Sequence, residues 1–137
     1  MTESNLVRKW KEWSPYLLSI LRIVAAIMFM FHGTMKLFGY PAGMSTKGGT
    51  VDLFSEMGLA GILEAVGGAM LVLGLFTRPV AFLLAGQMAV AYFQAHASRA
   101  LLPVANGGEL AVVYCFLWLY FSAAGAGPWS IDAKMKK

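Results

Sequence analysis

The sequence predicts an all-α integral membrane protein with a single domain over residues 1–137. We expect four transmembrane helices, packed as an antiparallel up-and-down bundle with both termini in the cytoplasm. Two observations favour this fold. The chain is 58% hydrophobic and 13% charged, whereas soluble domains carry about 25% charged residues. Its apolar residues also gather in four segments, each near the roughly 20 residues that a helix needs to cross a bilayer.

The four segments are separated by prolines, glycines and polar residues. Their expected ranges are about 15–38, 58–76, 79–96 and 106–124. We expect Pro15 in the first turn of the first helix, where its missing N–H costs nothing. The tight Thr77-Arg78-Pro79 connection makes the second and third segments antiparallel neighbours. Asn106 and Glu109 have the spacing of a capping box at the start of the fourth segment.

Basic residues predict the orientation, because cytoplasmic loops carry an excess of Lys and Arg. One side of the predicted bundle holds seven of them, which are Arg8, Lys9, Lys11, Arg78, Lys134, Lys136 and Lys137. The other side holds three, which are Lys36, Lys47 and Arg99. The sequence therefore predicts a multi-pass protein of the bacterial inner membrane, with the termini and the Arg78 hairpin facing the cytoplasm.

Ionisable side chains inside apolar segments are the strongest indication of a site, because charge in hydrocarbon is costly. Five of them are expected on the outer side of the membrane, and these are His32, Lys36, Glu64, His96 and Glu109. Glu64 should lie about 9 Å below the start of its helix, and His32 about 6 Å below Lys36, from the rise of 1.5 Å per residue. These three residues can therefore meet and form a core site, either as a structural ion pair or as a proton-exchanging ligand pocket with Glu64 and His32 as the exchange groups.

The remaining polar residues have simpler alternatives. The Lys36 ammonium could extend to the lipid headgroups, and Glu109 could have no role other than capping its own helix. His96 could be a hydrated histidine at the membrane interface. Gln87 could form a hydrogen bond across helices or line the ligand pocket. We therefore treat Glu109, Gln87 and His96 as candidate lining residues around the core site.

A second polar group is expected on the cytoplasmic side and has a structural interpretation. Arg22, Arg78 and Asp132 could meet there, with Asp132 folding back onto either arginine to fix the tail. Asn106 has a structural role as well, through its cap. The single cysteine, Cys115, predicts a buried inert thiol, and no metal site or nucleic-acid surface is indicated.

Several short motifs follow one another in an order that resembles the DoxX family of small bacterial membrane proteins. They are Leu21-Arg22-Ile23, His32-Gly33-x-x-Lys36-Leu37-Phe38, Gly58-Leu59, Glu64 with Gly67-Gly68, Leu73-Gly74-Leu75-Phe76-Thr77-Arg78, Asn106-Gly107-Gly108-Glu109 and Gly125-x-Gly127-Pro128-Trp129-Ser130-Ile131-Asp132. The resemblance covers nearly the whole chain and implies four transmembrane helices. It also implies a link to quinone-dependent thiosulfate oxidation and to oxidative-stress assemblies, although it identifies architecture better than reaction.

Three functions stay open at this point. The first is a quinone-linked redox component, such as a subunit of a quinone-dependent oxidoreductase, with an apolar slot formed by Phe29, Phe31, Leu71 and Phe116. The second is a non-catalytic anchor or scaffold for a redox complex, and the third is transport of a small solute or protons. Haem b is the least supported cofactor, since its only indication is that the chain has two histidines that could ligate the iron. The expected partners are the bilayer, a redox protein and further subunits or copies of the chain.

Overall fold

The computed structural model describes residues 4–43 and 49–136. The described residues form helices joined by turns and loops. In chain order the helices are α1 (Asn5–Phe38), α2 (Glu56–Leu73), α3 (Thr77–Ala95), α4 (Pro103–Asn106), α5 (Glu109–Ala124) and α6 (Ile131–Met135). The four longest, α1, α2, α3 and α5, correspond to the four predicted segments, so the all-α prediction is confirmed.

Helix α1 begins ten residues before its predicted start. Ser4 is its N-cap and accepts a hydrogen bond from the Val7 N–H at 3.3 Å. Pro15 therefore lies inside the helix, and its predicted place in the first turn was wrong. The residues between Ser4 and Pro15 are mostly good helix formers, and the cap offsets the cost of starting the helix. At 34 residues, α1 is about 51 Å long.

Small residues bring α1 and α2 into close antiparallel contact. A Cβ atom on Gly33 would lie 2.3 Å from the Ala65 nitrogen, and one on Gly68 would lie 2.8 Å from the Met30 Cβ. A Cβ on Gly61 would meet Lys36 and Leu37 at 3.1 Å. The close approach at these glycines determines which side chains of α1 and α2 can meet.

Helices α3 and α5 form the second antiparallel pair, and aromatic side chains join it to α1. The Phe29 ring lies 5.0 Å from Tyr114 and 5.4 Å from Trp118, both edge to face. Tyr114, Trp118 and Phe121 follow one face of α5 and are all buried. This cluster fills the middle of the bundle, because aromatic pairs of this geometry add favourable contacts to their buried area.

The outer surfaces of the long helices are apolar. Exposed large apolar residues occur on α1, α2, α3 and α5, for example Val24, Val66, Phe82 and Val113. Helices α1 and α2 are each long and apolar enough to cross a membrane, whereas α5 is apolar but has only 16 residues. Soluble monomers rarely expose such continuous apolar surface, so this distribution is typical of a protein surrounded by lipid.

Candidate functional site

A buried polar triad joins three helices near the end of the bundle where α1 ends and α2 begins. Glu64 of α2 is 3% exposed. The Lys36 Nζ of α1 donates to both of its carboxylate oxygens at 2.7 Å. The Gln87 Nε2 of α3 donates to Glu64 Oε1 at 3.2 Å. Charged hydrogen bonds of this kind are stronger than neutral ones, so the triad fixes the register of α1, α2 and α3.

The local sequence explains why these side chains meet. Gly61 lies three residues before Glu64 and Gly33 three residues before Lys36, so both glycines share a helix face with the charged residue that follows. Because the backbones touch at these glycines, the long Lys36 side chain runs along α2 and reaches the carboxylate. Its side chain is 13% exposed, so the ammonium lies inside the bundle, against the Glu64 carboxylate.

The amide oxygen of Gln87 is the unusual atom of the triad. Gln87 Oε1 is buried and has no hydrogen-bond partner among the residues that the structure describes. Exchanging the amide oxygen and nitrogen would place the oxygen against the Glu64 carboxylate, so the hydrogen bonds determine the orientation of the amide. A buried acceptor without a donor costs about 1–3 kcal/mol, and it can accept a hydrogen bond from a ligand.

His32 does not pair with Glu64. It lies one turn before Lys36 on α1 and is half-buried. Its ring meets the Tyr114 ring edge to face, with the centroids 6.4 Å apart. Of the three residues expected to meet, Glu64 and Lys36 form a pair, whereas His32 lies next to the aromatic cluster.

Two candidate lining residues are held away from the triad, at the start of α5. His96 Nδ1 lies 3.1 Å from the Asn106 carbonyl oxygen. Glu109 is exposed and is the first residue of α5. The predicted capping box was wrong, because Gly108 is the N-cap of α5 and Asn106 ends the separate helix α4. The left-handed Gly107, with φ 72°, lies between the two helices and breaks the expected spacing.

Asn106 nevertheless has a structural role. It is buried, and its Oδ1 accepts a hydrogen bond from the Gly108 N–H at 2.8 Å. Its Nδ2 donates to the Tyr92 hydroxyl at 3.1 Å and to the Ala100 carbonyl at 3.0 Å. The side chain therefore holds together the loop that connects α3 to α5.

The predicted apolar slot is only half correct. Phe29 and Leu71 are buried, but Phe31 is partly exposed and Phe116 is 66% exposed. Phe116 points outward because the inward face of α5 is formed by Tyr114, Trp118 and Phe121. The sequence reasoning missed Tyr114 and Trp118, although their spacing of four residues on one helix face is a signal for such a cluster.

Arg22 is fully buried and binds backbone carbonyls. Its Nε donates to Ala126 O at 2.9 Å, and its Nη1 donates to Leu71 O at 2.6 Å and to Val72 O at 3.1 Å. Its Nη2 donates to Trp129 O. The predicted structural role of Arg22 fits this geometry, because the guanidinium satisfies carbonyls that are left free where α2 ends.

Asp132 fixes the tail, but through the backbone of α3 and not through an arginine side chain. Its two carboxylate oxygens accept hydrogen bonds from the Phe76 and Thr77 N–H groups, both at 2.8 Å. Partial burial raises the pKa of Asp132, but these hydrogen bonds and the nearby Lys136 outweigh it, so the pKa lies below its ordinary value. The prediction that Asp132 contacts Arg22 or Arg78 was therefore wrong, because its hydrogen-bond partners are backbone N–H groups. The free N–H groups at the start of a helix are donors, and the positive end of the helix dipole there favours a carboxylate.

Arg78 binds the end of α5. Its Nη1 donates to the Ser122 carbonyl at 3.2 Å and to the Ala123 carbonyl. At the end of the bundle where α6 lies, called the tail end below, the ends of three different helices are thus bound by Arg22, Arg78 and Asp132. This arrangement explains how the short segment after α5 is held against the bundle.

Comparisons with known proteins identify the family of this chain. The DoxX family model matches residues 17–97, which include Arg22, Lys36, Glu64 and Gln87. An uncharacterized protein of Haemophilus influenzae (strain ATCC 51907 / DSM 11121 / KW20 / Rd) is 45% identical over 130 residues, which are 93% of this chain and 96% of the relative. No solved structure matches the chain. The chain belongs to the DoxX family of membrane proteins.

Proposed function

We propose that this protein crosses the bacterial inner membrane four times, with α1, α2, α3 and α5 as the spans and both termini in the cytoplasm. The antiparallel order of these helices and their apolar outer surfaces support the four spans. The excess of Lys and Arg at the tail end supports the orientation.

Cysteine labelling tests the orientation. In a Cys115→Ala background, Ser98→Cys lies between α3 and α4 and Lys134→Cys lies in α6, and both positions are exposed. An impermeant maleimide added to intact spheroplasts should label Ser98→Cys, and it should label Lys134→Cys only after lysis. The reverse pattern would contradict the proposed orientation.

We further propose that the protein is a quinone-linked component of a membrane redox system. The observation that supports this proposal is Gln87 Oε1 beside the Glu64–Lys36 pair, a buried atom with no hydrogen-bond partner within residues 4–43 and 49–136. Quinone carbonyl oxygens accept hydrogen bonds, and the hydroxyls of the reduced form donate them. The Lys36 ammonium offers donors and Gln87 Oε1 offers an acceptor, so the residues fit both forms of the ring.

Each residue of the site has a distinct task in this proposal. Gln87 orients the reduced headgroup by accepting a hydrogen bond from its hydroxyl, and Glu64 passes protons to the quinone as it is reduced. Lys36 lies between Glu64 and the outer end of α1, so protons exchange with the outer surface through it. His32, one turn deeper beside Tyr114, is a second group that can hold a proton. Bound quinone supplies the two-electron chemistry, and a soluble or membrane-bound partner protein supplies the electrons.

Quinone retention tests the redox proposal. We expect purified wild-type protein to carry quinone, or to bind its oxidised and reduced forms when added. Gln87→Leu should weaken binding of the reduced form about tenfold, since the hydrogen bond from its hydroxyl is lost. Gln94→Leu is the matched control, because Gln94 is exposed on the same helix. Extraction with mass spectrometry and a binding titration provide the measurements. Wild-type protein that neither retains nor binds quinone would refute the proposal.

A scaffold function is the second candidate, and one observation favours it. Lys36 already satisfies both oxygens of Glu64, and the pair joins α1 and α2 where their backbones touch. Such an ion pair can serve packing specificity alone. A scaffold predicts that a stably folded Glu64→Gln variant keeps full function in cells and all of its partners in pull-down assays. Loss of cellular function with intact partner binding would exclude a scaffold-only role.

A further inference from the structure

The tail end of the bundle contains an open cavity of about 250 Å³ that no part of the proposed redox function uses. It lies between the start of α3, the end of α5 and the tail helix α6. Phe76, Pro79 and Met135 contribute apolar walls, and Arg78 and Lys136 contribute positive charge. Its volume is slightly below the 300–1,000 Å³ of sites for drug-sized ligands, so it fits a headgroup and not a whole lipid.

The charges in this cavity favour an anion. Arg78 and Lys136 are positive and Asp132 is negative, which leaves a formal charge of +1. The Asp132 carboxylate is turned toward the Phe76 and Thr77 N–H groups and is hydrogen-bonded there. Arg78 donates to the α5 carbonyls through Nη1. Among the residues that the structure describes, its Nε and Nη2 atoms have no acceptor, so they keep donors for a planar, bidentate acceptor such as a phosphate.

The depth of the cavity points to a lipid. It lies where α3 begins and α5 ends, at the same end of the bundle as the exposed Trp13 and Trp129. Tryptophan is enriched at the level of the headgroups. Apolar walls beside two cations match the boundary between a phosphate and its glycerol and acyl groups, and basic pockets at such positions bind anionic headgroups.

We propose that the cavity between α3, α5 and α6 binds the phosphodiester headgroup of an anionic phospholipid through Arg78 and Lys136. This site is separate from the Glu64 triad, which lies at the opposite end of the bundle. It gives α6 a function beyond fixing the tail, because Lys136 reaches the headgroup only when Asp132 holds α6 in place.

The experiment measures lipid binding to the purified full-length chain by native mass spectrometry, with phosphatidylglycerol and phosphatidylcholine titrated separately. Wild-type protein should prefer phosphatidylglycerol, and Lys136→Gln should weaken that binding roughly fivefold. Lys134→Gln is the matched control. It removes the same charge from the same helix, but Lys134 lines a different cavity with Trp129 and Ile131. Arg78→Lys, which keeps the charge and loses the planar donors, should also weaken binding.

Each alternative result overturns the proposal. Equal affinity of wild-type protein for the two lipids would exclude a site for an anionic headgroup. Equal losses of phosphatidylglycerol affinity in Lys134→Gln and Lys136→Gln would show that general surface charge, and not the cavity, binds the lipid. Displacement of phosphatidylglycerol by millimolar inorganic phosphate would assign the cavity to free phosphate. Because Lys136 is exposed, its substitution tests the site even if Arg78 variants do not fold.

Discussion

The Lys36 ammonium lies 2.7 Å from both carboxylate oxygens of Glu64, and this contact crosses the closest approach of α1 and α2. Burying two charges is costly, and their attraction repays the cost only with good geometry and further hydrogen bonds. Here the further bond comes from Gln87 on a third helix. The pair can therefore lock the bundle, and under the proposed redox function it also exchanges protons.

A double-mutant cycle separates these two roles. Lys36→Met alone and Glu64→Met alone should each destabilise the protein by about 3–5 kcal/mol, because one buried charge loses its partner. The double variant should regain most of that loss, since two apolar side chains then pack together. Unfolding in detergent, followed by circular dichroism, provides the measurement. If the double variant folds but no longer binds quinone, the pair has more than a structural role, and strictly additive losses would show that the charges are not coupled.

Gly33→Ala should destabilise the contact between α1 and α2. The added Cβ would lie 2.3 Å from Ala65 N and 2.6 Å from Gly61 O, which are backbone atoms that cannot rotate away. We expect a loss of about 1–3 kcal/mol from this overpacking. Gly86→Ala is the control, because its Cβ meets no atom within 4 Å, and it should stabilise α3 by about 0.5–1 kcal/mol. Equal thermal shifts for the two variants would contradict the packing described for Gly33.

Asp132→Asn should loosen the tail, with an effect that depends on pH. The variant loses the charged bonds to the start of α3, at a cost of about 1 kcal/mol, as for other N-terminal caps. The folded-state pKa of Asp132 is lowered, so its contribution is complete above the unfolded value of about 3.9. It disappears as the pH falls through the lower folded pKa. Thermal stability of wild-type and variant protein should therefore differ between pH 5 and 8 and converge in stronger acid.

Asp52→Asn serves as the comparison for this pH experiment. Asp52 is exposed at the opposite end of the bundle, where its Oδ1 accepts a hydrogen bond from Phe54 N at 3.0 Å. Its substitution should change stability by less than about 0.5 kcal/mol, as is usual at the surface. A difference between wild-type protein and Asp132→Asn that stays constant down to pH 2 would show that the carboxylate charge is not what holds the tail.

Arg22→Lys should be strongly destabilising although it conserves the charge. A lysine has one ammonium and cannot reach the carbonyls of Leu71, Val72, Ala126 and Trp129 together. Each buried carbonyl left without a donor costs about 1–3 kcal/mol, so we expect a loss of at least about 3 kcal/mol. Arg8→Lys, on the exposed start of α1, should change stability by less than about 0.5 kcal/mol. A thermal shift of equal size in both would contradict the role of the Arg22 guanidinium.

Composition and helical spacing predicted much of this structure. The four long helices follow from apolar segments between proline and glycine, and the Glu64–Lys36 pair follows from the depth of each residue along its helix. The cap of α5 was missed because Gly107 separates Asn106 from the helix that it was expected to start. Gln87 was expected either to form a hydrogen bond across helices or to line a pocket, and the structure shows the hydrogen bond to Glu64. The orientation of its amide oxygen depends on the side-chain rotamer, which no sequence spacing encodes.

The partners of Arg22 and Asp132 were missed for a common reason. Both side chains bind backbone groups at helix ends, namely carbonyls of Leu71 and Val72 for Arg22 and amides of Phe76 and Thr77 for Asp132. Backbone groups are present at every position, so no residue type marks them as partners. Opposite charges in a sequence therefore suggest salt bridges even where helix ends bind the charged groups instead.

The hydrogen bonds of Arg22 also constrain the order of events during biosynthesis. The arginine leaves the ribosome early, whereas two of its acceptors, Ala126 and Trp129, follow 104 and 107 residues later. Until the segment after α5 has been translated, the Ala126 and Trp129 carbonyls do not yet exist, and the guanidinium donors that they satisfy need water or another acceptor. Residues that follow the last long helix thus complete the surroundings of a charge that the first helix carries.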